Sequence, residues 1–331
     1  MVDKTLGFSL WLDFVERDYL KEAFPALIEK GIINGATSNP SIFASAITSS
    51  PAYQEQLRSL QDKNPKEKYE ALAIRDIRTA AQALRGCYDA GNDGYISIEV
   101  DPFLSNDTAG TIAEGERLFA AIGEPNVMVK VPATEAGYEA MQALMGKGIS
   151  VNATLIFSPT QAERCLNAMK IGTAAYSGKV DGVVSVFVSR FDRLLDEKLC
   201  ADDIAPSRTG ILNAAKIYNL IEASAMPNIR TLFASTGVKG DTLPVAYYIQ
   251  ELLAAHTINT APLATIEAYM VAPSTEPKLP ITEEEIAHHF SQLRQQGIEI
   301  DEVSRSLLQD GLHAFEQAFE AMLKNLESKE G

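Results

Sequence analysis

Lys130 is the residue from which a reaction can be read. It sits in Val127-Met128-Val129-Lys130-Val131-Pro132, a stretch with the composition of a buried strand. Val127, Val129 and Val131 share one phase of the period-two alternation, and Met128 and Lys130 share the other. Lysine is seldom fully buried without a partner. Held among apolar neighbours, a lysine amine can lose its charge, and an uncharged amine attacks carbonyls. Taken alone, the stretch also allows a strand-end lysine whose stem packs while its head reaches water.

Two carboxylates fall in comparable positions. Asp13 ends Ser9-Leu10-Trp11-Leu12-Asp13, and Glu99 lies late in residues 94–100. If these are strands of one barrel, alternate residues face the lumen or the helices, and chemistry belongs at the carboxyl ends. Sorting each strand by its apolar phase turns Trp11 and Asp13 inward, then Ser97 and Glu99, then Lys130. In the next strand Val151, Ala153 and Leu155 take the outer phase and leave Asn152 and Thr154 inside. Val184, Val186 and Val188 leave Ser185 inside, and Leu232 and Ala234 on the outer phase leave Ser235 inside. Isolated buried charge is expensive, so Asp13, Glu99 and Lys130 must be paired or neutralised. Two carboxylates beside one lysine are the equipment of Schiff-base catalysis. Their lesser use is a buried ion-pair network that fixes register.

The elements that would position these residues alternate. Strand-like runs rich in Val, Ile and Leu recur between helical patterns, as parallel strands covered on both faces should. Residues 18–30 read as a helix closed by Gly31, and Pro40 suits the first position of another. Residues 49–91 are mostly helical, with a break near Lys63-Asn64-Pro65. Ser158-Pro159-Thr160-Gln161 has a capping-box pattern, and residues 209–223 and 244–255 read as helices. Residues 264–270 are the candidate last strand, which brings the total to about eight. Eight such units predict a (β/α)8 TIM barrel. A doubly wound open sheet is the alternative, weakened by the lack of a G-x-G-x-x-G turn after any early strand.

One barrel domain is expected over residues 1–331, with residues 271–331 a helical extension packed on it. There Thr282 to Glu285 forms a capping pattern for a helix that Gly297 ends. Leu308, Leu312, Phe315, Phe319, Met322 and Leu326 then make one apolar stripe. Its ordinary use is packing against the body, and its lesser use is an oligomer contact such as a homodimer. Residues 327–331 are expected to fray.

Composition narrows the partners. The 331 residues carry a formal net charge of -15, with 46% hydrophobic and 22% charged residues. That balance argues against general nucleic-acid or anionic-membrane binding. An anionic substrate would need a local cluster of cations. Cys87, Cys165 and Cys200 are far apart and unpaired in spacing, which suggests a reducing compartment. The first ten residues lack a signal-peptide pattern and no apolar run reaches membrane-spanning length, so the cytoplasm is expected. His256, His288, His289 and His313 show no metal-ligand spacing, so no metal is expected.

At these residues the chain resembles the transaldolase family. The likeness is carried by Thr37-Ser38-Asn39-Pro40-Ser41-Ile42-Phe43, Ser97-Ile98-Glu99-Val100-Asp101 and Val129-Lys130-Val131-Pro132. It continues through Asn152-Ala153-Thr154-Leu155-Ile156-Phe157-Ser158 and Ser185-Val186-Phe187-Val188-Ser189-Arg190. Ser9 to Asp13, with Ala234-Ser235-Thr236-Gly237-Val238-Lys239, is similar to the longer bacterial branch. The resemblance implies a (β/α)8 barrel that needs no cofactor. It implies transfer of a dihydroxyacetone unit from sedoheptulose 7-phosphate to glyceraldehyde 3-phosphate, giving erythrose 4-phosphate and fructose 6-phosphate in the pentose phosphate pathway.

The roles implied are specific. Lys130 would form the Schiff base, and Asp13 would exchange a proton with the C4 hydroxyl. Glu99 and Thr154 would hold a water that relays protons. Asn39 and Asn152 would bind the hydroxyls of the three-carbon unit, with Ser185 orienting it; Asn39 alone would also suit a plain helix N-cap. Arg190 and Ser235 would bind phosphate. The better-known branch has an arginine two residues after the serine of strand seven, where this chain has Gly237. Lys239 could replace it, as a point charge and not a bidentate fork. Two other functions stay open: an aldolase that releases free dihydroxyacetone, and a barrel that binds sugar phosphate without turning it over.

Overall fold

Among the described residues, eight parallel strands pair in sequence order and close on themselves. They are β1 (Ser9–Asp13), β2 (Gly35–Thr37), β3 (Ile96–Glu99), β4 (Val127–Pro132), β5 (Val151–Ile156), β6 (Gly182–Phe187), β7 (Ile229–Ala234) and β8 (Thr257–Ala261). The computed structural model describes residues 3–201 and 204–328. Helices α1 (Arg17–Lys21) and α2 (Ala23–Glu29) follow β1, and α3 (Pro40–Ser49), α4 (Gln54–Arg58) and α5 (Pro65–Asp89) follow β2. Next come α6 (Thr108–Ile122) after β3, α7 (Glu135–Gly146) after β4 and α8 (Pro159–Ala175) after β5. Then α9 (Ser189–Ala201) and α10 (Thr209–Ala223) follow β6, α11 (Tyr247–Glu251) follows β7 and α12 (Leu263–Val271) follows β8. The chain continues into α13 (Glu283–Gln295) and α14 (Ile300–Ser328). This is the expected (β/α)8 barrel with additional carboxyl-terminal helices.

The alternation of side chains explains the two layers of core. Leu10, Leu12, Ile96 and Ile98 pack outward with α-helical residues such as Leu72 and Ile77. Val129, Val131, Val184 and Val186 do the same on the other side of the barrel. Trp11, Met128, Val183, Leu232 and Ile258 fill the lumen. Trp11 dictates its neighbour: a Cβ on Gly35 of β2 would lie 2.4 Å from the indole. At the amino-terminal mouth, Arg230 pairs with Asp93 and donates to the Thr257 carbonyl at 2.9 Å.

Helix starts follow local chemistry. Asn64 and Glu67 form a reciprocal capping box at the expected break before α5. Ser158 caps α8 by accepting from the Gln161 amide at 3.2 Å, while Gln161 Oε1 accepts from the Phe157 amide at 2.9 Å. Thr282 caps α13, and Gly297 follows it at positive φ.

Several expectations are corrected. Residues 264–270 belong to helix α12, and the last strand is β8 at Thr257–Ala261. The helical run carries the good helix formers Ala264, Glu267 and Ala268 beside the β-branched Thr265 and Ile266, whereas Thr257, Ile258 and Thr260 make the strand just before Pro262 β-branched in three of five positions. Leu232 and Ala234 face the lumen, and Phe233 takes the outer phase. Leu155 also faces the lumen, because β5 breaks register between Ala153 and Ile156 and Leu155 has φ 59. Residues 18–30 divide into α1 and α2, since Pro25 has no N–H to bond the Lys21 carbonyl. The helix expected over 244–255 is confined to Tyr247–Glu251. At the carboxyl terminus α14 runs through Ser328, and residues 329–331 of the expected frayed end lie outside the described residues.

Candidate active site

Strand register brings the reactive groups together at the carboxyl-terminal mouth. Glu99 is the Cα partner of Lys130, and Lys130 is the partner of Asn152. Lys130 is 5% exposed and Glu99 6%. Lys130 Nζ lies 3.4 Å from Glu99 Oε2 and donates to the Ser38 carbonyl at 3.1 Å. Glu99 Oε2 makes no hydrogen bond, so its contact with Lys130 is ionic rather than aligned. Burial pushes the Glu99 carboxyl up to about 7, against the opposing charge of Lys130. Such a group can both accept and give a proton near neutrality.

Asp13 ends β1 beside Thr37 of β2. Thr37 Oγ1 donates to Asp13 Oδ1 at 2.7 Å and lies 2.6 Å from Thr260 Oγ1. A hydroxyl has one hydrogen, so Thr260 must donate to Thr37. Burial raises the affinity of Asp13 for a proton, while the Lys130 charge and the Thr37 hydroxyl oppose it.

A second chain of hydrogen bonds crosses the lumen. Ser185 Oγ donates to Asn152 Oδ1 at 2.6 Å, and Asn152 Nδ2 donates to Ser97 Oγ at 2.9 Å. This fixes the orientation of the Asn152 amide and leaves it one free N–H. Thr154, two residues on, is buried with its Oγ1 unpartnered. Two buried polar atoms with no hydrogen-bond partner among the described residues, Glu99 Oε2 and Thr154 Oγ1, therefore flank the strand that carries Lys130. Asn39 accepts from the Ile42 amide at 3.0 Å and so caps α3. Its carbonyl oxygen is used by the fold and its amide N–H groups are the part available to a ligand.

The cationic side of the site comes from α9. Arg190, near its start, stacks its guanidinium over the rings of Phe187 and Phe157 at 5.0 and 5.9 Å. Ser189 Oγ and Ser235 Oγ are 3.0 Å apart. Ser235 follows β7 at φ 55, a conformation costly for a residue with a side chain and common at ligand sites. Gly237 packs closely under Pro262: a Cβ there would meet it at 3.1 Å. Lys239 is exposed in the loop after β7.

Three contributors escaped the sequence reading. Thr260 did so because its strand was misplaced. Phe187 lies in the Ser185–Arg190 stretch that carries the resemblance, with no role given to it there. Phe315 looked like one member of a packing stripe, yet its ring centroid is 5.8 Å from Lys130 Nζ. The period-two pattern in residues 257–261 was the available signal for Thr260; no local signal marks Phe315.

Comparison with known proteins gives a consistent result. A family model described as "Transaldolase/Fructose-6-phosphate aldolase" matches residues 10–326. The transaldolase of Campylobacter jejuni (strain RM1221) is 46% identical over 331 residues, spanning 97% of this chain and 99% of the relative. The transaldolase of Helicobacter pylori (strain P12) is 44% identical over 319 residues, spanning 96% and 99%. No described helix is long and apolar enough to cross a membrane.

Proposed function

The chain belongs to the transaldolase/fructose-6-phosphate aldolase family, and from that premise we propose that it is a transaldolase working through an imine on Lys130. The donor is sedoheptulose 7-phosphate and the acceptor glyceraldehyde 3-phosphate, with erythrose 4-phosphate and fructose 6-phosphate as products. The setting is the pentose phosphate pathway of the cytoplasm.

The observation that carries the reading is the buried pairing of Lys130 with Glu99 at 3.4 Å in the barrel mouth. Lys130 attacks the donor ketone. Glu99, with Thr154, holds the water through which protons move as carbinolamine becomes imine. Asp13 takes the C4 hydroxyl proton, the C3–C4 bond breaks, and the aldehyde departs. The three-carbon unit stays on Lys130 until an acceptor aldehyde arrives and the steps reverse. Asn39 and Asn152 hold its hydroxyls through their free N–H groups, with Asn152 oriented by Ser185. Arg190 and Ser235 receive the phosphate, and Lys239 is the second cation.

The test is borohydride reduction in the presence of fructose 6-phosphate, followed by peptide mass analysis. A reduced three-carbon adduct on Lys130 alone is expected. A label on Lys239, or none at all, would sink the imine reading.

A further inference from the structure

The last long helix brings an aromatic ring to the reacting amine. Phe315 is 7% exposed and sits over Lys130. The later members of the same stripe go elsewhere. Phe319, Met322 and Leu326 pack with the outer shell around β1 and β3, whereas Leu308, Leu312 and Phe315 join the lumen cluster of Leu155, Phe157 and Phe187. A stripe that only anchored a helix would not divide in this way.

The helix is held across the mouth at both sides. Ser304 Oγ lies 3.0 Å from the Phe157 carbonyl and 2.8 Å from the Ile300 carbonyl of its own helix, with one hydrogen shared between them. Further along, the Phe319 ring meets Tyr69 of α5 edge to face at 5.3 Å between centroids. Between these points lies Gly311. A Cβ there would come 2.9 Å from Leu155 and 3.1 Å from the Arg190 guanidinium. The glycine lets α14 descend onto the site, and the irregularity in β5 turns Leu155 up to meet it.

We propose that Phe315 is a specificity-determining residue that keeps water from the Lys130 imine, and so sets transfer against release of free dihydroxyacetone. This rests on the imine reading above. Between the two half-reactions the three-carbon unit waits on Lys130 as an enamine. Release protonates the enamine carbon, adds water to the resulting iminium carbon, breaks the C–N bond and returns dihydroxyacetone and the protonated amine. Water is the co-reactant, so its access sets the rate. A phenyl face offers water no hydrogen-bond partner, yet it tolerates an iminium cation through its ring quadrupole.

The experiment measures two rates in the full-length protein: dihydroxyacetone release from fructose 6-phosphate alone, and transfer to erythrose 4-phosphate. Phe315→Ala should raise the ratio of release to transfer on the order of tenfold by admitting water to the imine. A ratio equal to that of the parent, whether both rates fall or neither changes, overturns the proposal and leaves Phe315 as packing. If Phe315→Ala does not fold, Phe315→Leu reads the same ratio with a narrower side chain, and an unchanged ratio there is equally fatal. Borohydride trapping of the parent separates the two claims. A parent that forms no imine defeats the underlying reading, whereas a parent that forms one and a variant with an unchanged ratio defeat only the role of Phe315.

Discussion

Glu99 and Lys130 stand opposite one another on β3 and β4, and their charged ends meet at 3.4 Å inside the barrel. The pair is almost inaccessible to solvent, and Glu99 Oε2 has no hydrogen bond to compensate its burial. A carboxylate so placed is held by one charge against a large desolvation cost, which is why its proton is retained to higher pH.

That retention has a sign in stability. The folded value near 7 exceeds the ordinary 4.5, so the folded state binds more protons than the unfolded state between those limits. The contribution of Glu99 is fully present below 4.5 and is lost as pH rises through 7. A tenfold difference in proton affinity between the two states is worth about 1.4 kcal/mol. Urea denaturation of Glu99→Gln and parent should show a stability difference that drifts in favour of the variant from pH 5 to pH 8. A flat difference would mean that Glu99 is ionised throughout.

Lys130→Met replaces the amine with a chain of similar volume. It should abolish transfer and borohydride labelling together. Removing one partner of a buried pair is costly, but here Glu99 can take a proton, so the fold should survive, as a circular dichroism melt would report. Transfer by the folded variant at a substantial fraction of the parental rate would exclude a Lys130 imine.

Much of this site was legible from residue order because one rule carries it. Period-two alternation and the lateral register of parallel strands are enough to bring Asp13, Glu99, Lys130 and Asn152 to one mouth. The rule fails where a strand is irregular. Leu155 at φ 59 and Ser235 at φ 55 are phase breaks, and alternation cannot foresee them. Ser235 still reaches the mouth although Leu232 and Ala234 face inward, since the backbone turns at that residue. Contacts across great sequence distance were also invisible. Nothing near Phe315 in the chain indicates that it lies above a residue 185 positions earlier (315 − 130).

Arg190→Ala should raise KM for phosphorylated substrates far more than for an unphosphorylated dihydroxyacetone donor. Loss of a charge-assisted contact costs ~1.5–3 kcal/mol, or one to two decades. The stacking over Phe187 and Phe157 holds the guanidinium in place, so Arg190→Lys should rescue only part of the loss. Lys239→Ala reports on the proposed second cation. An unchanged KM would make Lys239 a solvated loop charge. The tight fit of Gly237 against Pro262 would then account for the missing arginine without a replacement.

The two carboxylates should fail at different steps. Glu99 faces Lys130, and in the proposed mechanism it acts through water while the imine forms, so Glu99→Ala should slow the appearance of any adduct. Asp13 accepts from Thr37, which in turn meets Thr260, and in the proposed mechanism it acts only once the imine exists. Asp13→Ala should therefore still form an imine with fructose 6-phosphate and then stall. Borohydride would trap the whole six-carbon sugar phosphate in place of the three-carbon fragment. General acid–base groups contribute ~10²–10⁴-fold, so both defects should be resolved in single-turnover traces. Adduct mass reports the stalled step directly. A three-carbon adduct appearing at the parental rate in Asp13→Ala would remove Asp13 from bond cleavage and leave it as a charge that holds Lys130 in register.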